Sequence, residues 1–212
     1  MQGRGRFITF EGIDGSGKTT QMRLLAARLR ERGLEAIETV EPGGTAIGNQ
    51  IRRILLDSAN HDLRPTAELL LYFASRAQNV EECIRPALAA GKIVLCDRFT
   101  DSTAAYQGYA RGLGVETVRT LDRIACQGLE PDLTLLIDVD LDAGLARMRA
   151  RNASERASET RMDEQSLEFH RKVRDAYMAL AKEHAARFRV IDGRSEPETV
   201  AAKVWEAVAP HV

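Results

Sequence analysis

Two hundred and twelve residues are enough for one domain. With 44% hydrophobic and 29% charged residues the chain can bury a core, which excludes a disordered or fibrous class. Thirty basic against thirty-one acidic residues leave a net charge of -1, so no global cationic field exists to hold a nucleic-acid backbone, and no apolar run is long enough to span a bilayer. No secretory signal is read at the N-terminus, because the short apolar run after Arg4 and Arg6 stops at Glu11. Cys83, Cys96 and Cys126 form no CxxC pair, and an odd number of scattered thiols suits a reduced, cytoplasmic protein.

Short β-rich runs alternate with helical stretches, the order that builds a parallel sheet covered on both faces. Residues 7–11 read as the first strand. Residues 21–31 follow as a helix with Met22, Leu24, Leu25 and Leu29 at helical spacing, stopped by Gly33. A weak strand at 35–40 closes on Pro42-Gly43-Gly44, and helices are predicted at 47–56 and 65–90. Residues 92–96 form an uninterrupted apolar strand, a pattern repeated at 133–139 and weakly at 188–191. Further helices are predicted at 141–151, 163–185 and 197–209. Between them lies an Arg-rich polar segment, about 147–162, with Arg147, Arg149, Arg151, Arg156 and Arg161, which reads as a mobile lid on a single domain spanning 1–212. His61, His170, His184 and His211 share no pattern and are assigned to surface faces, and the cysteines to the core.

Gly12-Ile13-Asp14-Gly15-Ser16-Gly17-Lys18-Thr19 fits G-x-x-x-x-G-K-[ST] between a strand and a helix. Its glycines let backbone N–H groups curl around phosphate oxygens at the positive end of the helix dipole. Lys18 would reach the β- and γ-phosphates, the Thr19 hydroxyl would ligate Mg²⁺, and Thr20 belongs to the same nucleotide-binding loop. Asp97, at the end of the apolar run 93–96, is the candidate acid for the metal. No N-K-x-D tetrapeptide is present to read guanine. Arg98 follows the metal acid directly and can hold an acceptor phosphate bidentately, as a small-molecule kinase requires.

Several blocks together resemble bacterial thymidylate kinases: Phe10-Glu11-Gly12, Glu41-Pro42-Gly43-Gly44-Thr45, residues 69–78 with Arg76, Asp97-Arg98-Phe99, Ser102-Thr103-Ala104-Ala105-Tyr106-Gln107-Gly108, Arg111-Gly112 and Pro131-Asp132-Leu133-Thr134. They keep family order over the first two-thirds of the chain. The resemblance implies a P-loop nucleoside-monophosphate kinase fold with a five-stranded parallel sheet, a homodimer, and transfer of the γ-phosphoryl group of ATP to dTMP with Mg²⁺. Arg98 then grips the acceptor phosphate, and Glu41, Pro42, Ser102, Thr103 and Gln107 line the substrate site. Either Tyr72 or Phe73 stacks on thymine. Arg76 donates to its O4, and Tyr106 stands beside the sugar C2′. Asp14 meets the 3′-hydroxyl or a metal-bound water.

Two departures qualify the resemblance. Val40 stands where bacterial relatives often carry Arg, and the segment from Arg151 to Arg161 is a few residues longer than usual. In some relatives an arginine occupies the loop position held here by Gly15; in this chain the resemblance gives the transition-state charge to the lid. Arg156 and Arg161 are the candidates, with Arg151 stacking on adenine. Two further readings stay open: a related kinase with a nucleoside or another monophosphate as acceptor, and a P-loop binding module that hydrolyses ATP without an acceptor.

Overall fold

The computed structural model describes residues 4–155 and 159–212. Five parallel strands form one sheet in the order β2-β3-β1-β4-β5. They are β1 (Phe7–Glu11), β2 (Ala36–Val40), β3 (Ile93–Asp97), β4 (Leu133–Asp138) and β5 (Phe188–Asp192). From β1 the chain first builds outward to β2 and back to β3, then crosses to β4 on the other side. That reversal opens a crevice at the carboxyl ends of the central strands, where open α/β sheets place their ligands. The register sets Phe10 beside Asp97 and Glu11 beside Leu136, so the loops after β1 and β3 emerge as neighbours.

Strand periodicity divides the core. Ile8 and Phe10 with Leu133, Leu135 and Ile137 face α1 (Lys18–Glu31) and α9 (Pro197–Val208), while Phe7, Val94 and Cys96 face the opposite way. Trp205 of α9 lies between the guanidinium groups of Arg28 and Arg32, 4.4 and 4.3 Å from its ring centre. Over the other face lie α2 (Ala46–Leu56), α3 (Pro65–Asn79), α6 (Val115–Cys126) and α8 (Leu167–Glu183). The predicted helix at 65–90 is one run: α3 passes through a π-helical turn, Val80–Ile84, into α4 (Arg85–Ala89), and Gly91 ends it at φ 77°. Pro86, which lacks an N–H to continue the ladder, is accommodated just after this wide turn.

Three elements differ from expectation. Residues 100–110 form a short helix, α5 (Thr100–Thr103), continued by a π-helical stretch, Ala104–Ala110, and α6 follows; neither was anticipated. The signal of the first stretch is weak because it is built of small and polar residues, whereas α6 carries Val115, Val118, Leu121 and Ala125 at helical spacing. The helix α7 (Leu141–Glu155) runs into the segment expected to be an open lid, as the helix-favouring Ala and Arg residues there permit. His170, expected at the surface, is buried on the inner face of α8 beside Phe169 and Val173.

A buried polar layer braces this frame. Arg187, just before β5, clamps Asp101 of α5 with bonds of 2.7 and 2.8 Å, and donates to the Thr134 hydroxyl of β4. The carboxyl of Asp101 is 6% exposed and Arg187 21%. Orphaning a fully buried charge costs about 3–5 kcal/mol, and partial solvation of the pair places Arg187→Met at about 3 kcal/mol. Urea unfolding should show a lower midpoint at unchanged slope; a midpoint equal to wild type would refute the brace.

Candidate active site

A cleft of about 1160 Å³ opens at the carboxyl ends of the strands. One wall is the loop between β1 and α1. Asp14, Gly15, Ser16, Gly17, Lys18, Thr19 and Thr20 all line the cleft, whereas Gly12 and Ile13 lie behind it and contribute backbone. The Lys18 ammonium donates to the carbonyls of Gly12 and Ile13 at 3.0 and 2.8 Å. Burial and then the neighbouring Arg98 charge push its pKa down to about 8, so it remains cationic at pH 7. Gly15, at φ 76°, rests on the backbone of α7: a Cβ there would stand 2.0 Å from the carbonyl oxygen of Gly144. Gly144 is tightly placed in turn, since its own Cβ would stand 2.8 Å from the Ile13 terminal methyl and 3.1 Å from the Asp14 carbonyl oxygen.

The Thr19 hydroxyl donates to the Asp97 carboxylate, which closes β3. Arg98 comes next, in the left-handed region at φ 71°, a conformation that costs a non-glycine residue about 1–2 kcal/mol. This turn aims the side chain back across β1. Its guanidinium donates to the Gly12 carbonyl at 3.1 Å, to Ser102 Oγ at 3.1 Å, to the Tyr177 hydroxyl at 3.0 Å and to the Tyr106 hydroxyl at 3.3 Å. A fifth bond, 2.6 Å long, joins it to Asp14. Burial would raise the Asp14 pKa, but Arg98 and Lys18 beside it, with a 2.7 Å bond from the Tyr106 hydroxyl, hold it well below the carboxylate range.

The second wall comes from α3 and from residues 97–107. Arg76, 1% exposed, pairs with Glu41 at 2.6 Å and donates to Thr103 at 3.0 Å; its Nη1 has no partner among the described residues. Asn79 donates to the other Glu41 oxygen at 3.1 Å. Glu41 and Pro42, joined by a cis peptide bond, line the cleft with Ser102, Thr103, Tyr106 and Gln107. Tyr72 lines it as well, whereas Phe73 is buried in the core behind it, 5.0 Å from the Arg76 guanidinium. The structure thus separates two neighbours that the sequence left as alternatives.

The third wall belongs to the segment expected to be a lid. Arg147, Arg151, Met162 and Asp163 line the cleft. Arg156 lies outside the described residues. Arg161 does not line the cleft: its guanidinium is 5% exposed, donates to the Leu55 carbonyl at 2.5 Å and pairs with Glu68 at 2.7 Å. An arginine expected in an open polar loop is therefore packed against α2 and α3, because a fully buried carboxylate offers it a partner.

Sequence reasoning gave no role to Glu11, Glu68, Asp163 or Tyr177. Tyr177 shares the inner face of α8 with Phe169 and Val173, so its burial is readable from spacing, but its hydroxyl contacts are not. Glu68 stands one and two helical turns before Tyr72 and Arg76, and that i, i+4, i+8 line was the available signal. Glu11 sits beneath the second wall. It accepts the Phe99 N–H at 2.8 Å, the Ser102 hydroxyl at 2.5 Å and the Tyr177 hydroxyl at 3.0 Å. Complete burial and then the nearby Asp101 charge push its pKa up to about 7.

A family model described as thymidylate kinase matches residues 10–204. The thymidylate kinase of Trichlorobacter lovleyi is 50% identical over 203 residues, 95% of this chain and 96% of its own length. That of Geotalea uraniireducens is 52% identical over 205 residues, 96% of both chains. The crystal structure of thymidylate kinase from Ehrlichia chaffeensis superposes with a TM-score of 0.79 at 36% identity, covering 97% of this chain and 99% of that one.

The Glu11 environment makes stability depend on pH. Unfolded, Glu11 titrates near 4.5; folded, near 7. Its contribution is complete below pH 4.5 and is lost as pH rises to 7, with a slope of up to about 1.4 kcal/mol per pH unit. Wild type should therefore lose stability relative to Glu11→Gln between pH 4.5 and pH 7 in urea titrations, and a pH-independent difference would contradict the assignment.

Proposed function

The chain belongs to the thymidylate kinase family, and from that premise we propose that its cleft carries ATP + dTMP to ADP + dTDP with Mg²⁺. The supporting observation is Arg98, a guanidinium that touches the nucleotide loop at Gly12 and Asp14 and the second wall at Ser102 and Tyr106. A cation so placed serves two phosphates, one on the loop and one on the acceptor, and a nucleoside acceptor would bring none for it to hold.

On this reading the loop N–H groups and Lys18 cradle the donor phosphates. Magnesium binds through one or two carboxylates, with substrate phosphates and water completing its shell, and the Thr19 hydroxyl beside the Asp97 carboxylate fits that donor set. When bound with ATP, the ion would supply positive charge to the phosphate oxygens. The acceptor phosphate is largely dianionic at pH 7, with a second pKa near ~6, so no general base is needed. The residues align two anions and offset their repulsion. Tyr72 offers a ring to the acceptor base, and the unpartnered Nη1 of Arg76 offers a donor that suits a carbonyl such as thymine O4 better than an amino group. Tyr106, bonded to Asp14, holds the floor where the sugar would lie.

The arginines of α7 that line the cleft, Arg147 and Arg151, supply cationic charge on the donor side, with Arg156 as a further source. No arginine can be added at Gly15 while Gly144 lies against it. The reading also includes a homodimer. Helices α2, α3 and α6 pack side by side and leave Ile54, Leu70 and Ile124 exposed, an apolar face suited to a second copy.

ADP release should depend on dTMP: strong turnover without it would favour an ATPase, and equal turnover with thymidine a nucleoside kinase. Arg98→Ala should lower kcat/KM for dTMP at least about tenfold, the weight of a charged hydrogen-bonded contact, with a smaller change in the KM for ATP. A change confined to ATP would reverse the assignment. In sedimentation equilibrium at micromolar concentration the protein should read near twice its 23.5 kDa; a monomer would remove the dimer.

A further inference from the structure

Glu68 of α3 is 0% exposed and does not itself line the cleft. It receives the Gln107 amide at 2.8 Å, the Arg111 guanidinium at 3.3 and 3.2 Å, and Arg161 at 2.7 Å. A second tie closes the group, from Arg111 Nη1 to Gln165 at 2.9 Å, while the Gln165 amide returns to the Arg161 carbonyl at 3.0 Å. These contacts join segments far apart in the chain. Gln107 belongs to the acceptor wall. Arg161 immediately precedes Met162 and Asp163 of the third wall, and Asp163 holds Arg151 at 2.8 Å and Asn152 at 2.9 Å. A continuous line therefore runs from Gln107 through Glu68 to Arg161 by charged or hydrogen-bonded contacts, then along the backbone through Met162 to Asp163, and from Asp163 to Arg151 by an ion pair.

We propose that Glu68 is a positioning residue that fixes the acceptor wall and the donor-side arginine Arg151 in a single arrangement, with Arg161 as its anchor rather than as a group touching the transferring phosphoryl. The physical reason is specificity of place. A buried carboxylate between two guanidinium groups cannot shed either without leaving a charge uncompensated in a dry site, so all three side chains share one geometry. Any displacement at residue 161 is passed to Asp163 two residues on. The inference rests on the ATP and dTMP assignment above.

The test compares Glu68→Gln, Arg161→Met and the double variant by steady-state kinetics, with melting temperatures as control. Glu68→Gln should raise the KM for both dTMP and ATP by about tenfold, the scale of a typical coupling. Arg161→Met should raise the KM for ATP alone, since Glu68 still holds Gln107 and Arg111. The double variant should be no worse than Glu68→Gln, because the two residues act on one line. If Glu68→Gln does not fold, Arg161→Met decides, as it leaves the Glu68–Arg111 pair balanced. A loss of kcat of about 100-fold or more in Arg161→Met with KM values unchanged would place Arg161 at the reacting phosphoryl group and overturn the proposal. So would unchanged kinetics, or equal shifts in both KM values that simply track the melting temperature. Failure of the underlying assignment would show instead in wild type, as ADP release that ignores dTMP.

Discussion

The ion pair between Arg98 and Asp14 ties the end of β3 to the loop that follows β1, and the geometry of the cleft depends on it. Neither partner tolerates burial alone. Together with the hydroxyls of Tyr106 and Tyr177 they form a satisfied cluster, so the charge can sit in a water-poor crevice without being neutralised. The left-handed turn at Arg98 is the local cost of this arrangement, and five hydrogen bonds offset it. Because parallel strands pair in a fixed register, with Phe10 beside Asp97, the two loops cannot drift apart without breaking the sheet.

Around this pair the protein places a graded set of charges. Lys18 is kept only weakly basic by burial and by its cationic neighbour, a state that arriving phosphate would favour toward full charge. Beneath the second wall burial and then Asp101 hold the Glu11 pKa up at about 7, while Arg187 balances Asp101 from the opposite side. Anionic ligands thus meet a surface whose cations are held by loop carbonyls and hydroxyls and whose buried carboxyls are each bonded or clamped. The same logic, a buried carboxylate shared by several donors, recurs at Glu41 under Arg76 and at Glu68 under Arg111 and Arg161.

Much of this was legible in the chain. The five strands and the phosphate loop follow from apolar runs and glycine spacing, signals that depend on neighbours in sequence. Residues 100–110 were not, because small and polar residues there take their places through contacts with α8, whereas α6 was legible in principle from Val115, Val118, Leu121 and Ala125 at helical spacing. Among site residues, Asp97, Arg98 and Thr19 were readable because their positions at strand and helix ends fix where they go. Arg161 was not, since its partner Glu68 lies ninety-three positions away (161 − 68) and a long side chain beside an open segment offers no hint of burial. That Tyr72 faces the cleft and Phe73 the core follows from the helix phase, which a run of apolar residues on both faces conceals.

The mutual contact of Gly15 and Gly144 has a consequence for how such a protein can change through descent. A side chain at Gly15 of the phosphate loop would need the space held by the Gly144 carbonyl of the helix that begins the third wall, and one at Gly144 would press on Ile13 and Asp14 of the loop. A side chain at Gly15 alone meets backbone, and one at Gly144 alone meets Ile13, so a single substitution cannot move cationic charge from helix to loop without strain. Relocation would need both segments to shift together, so in this packing the cationic charge on that side of the cleft is tied to the helix.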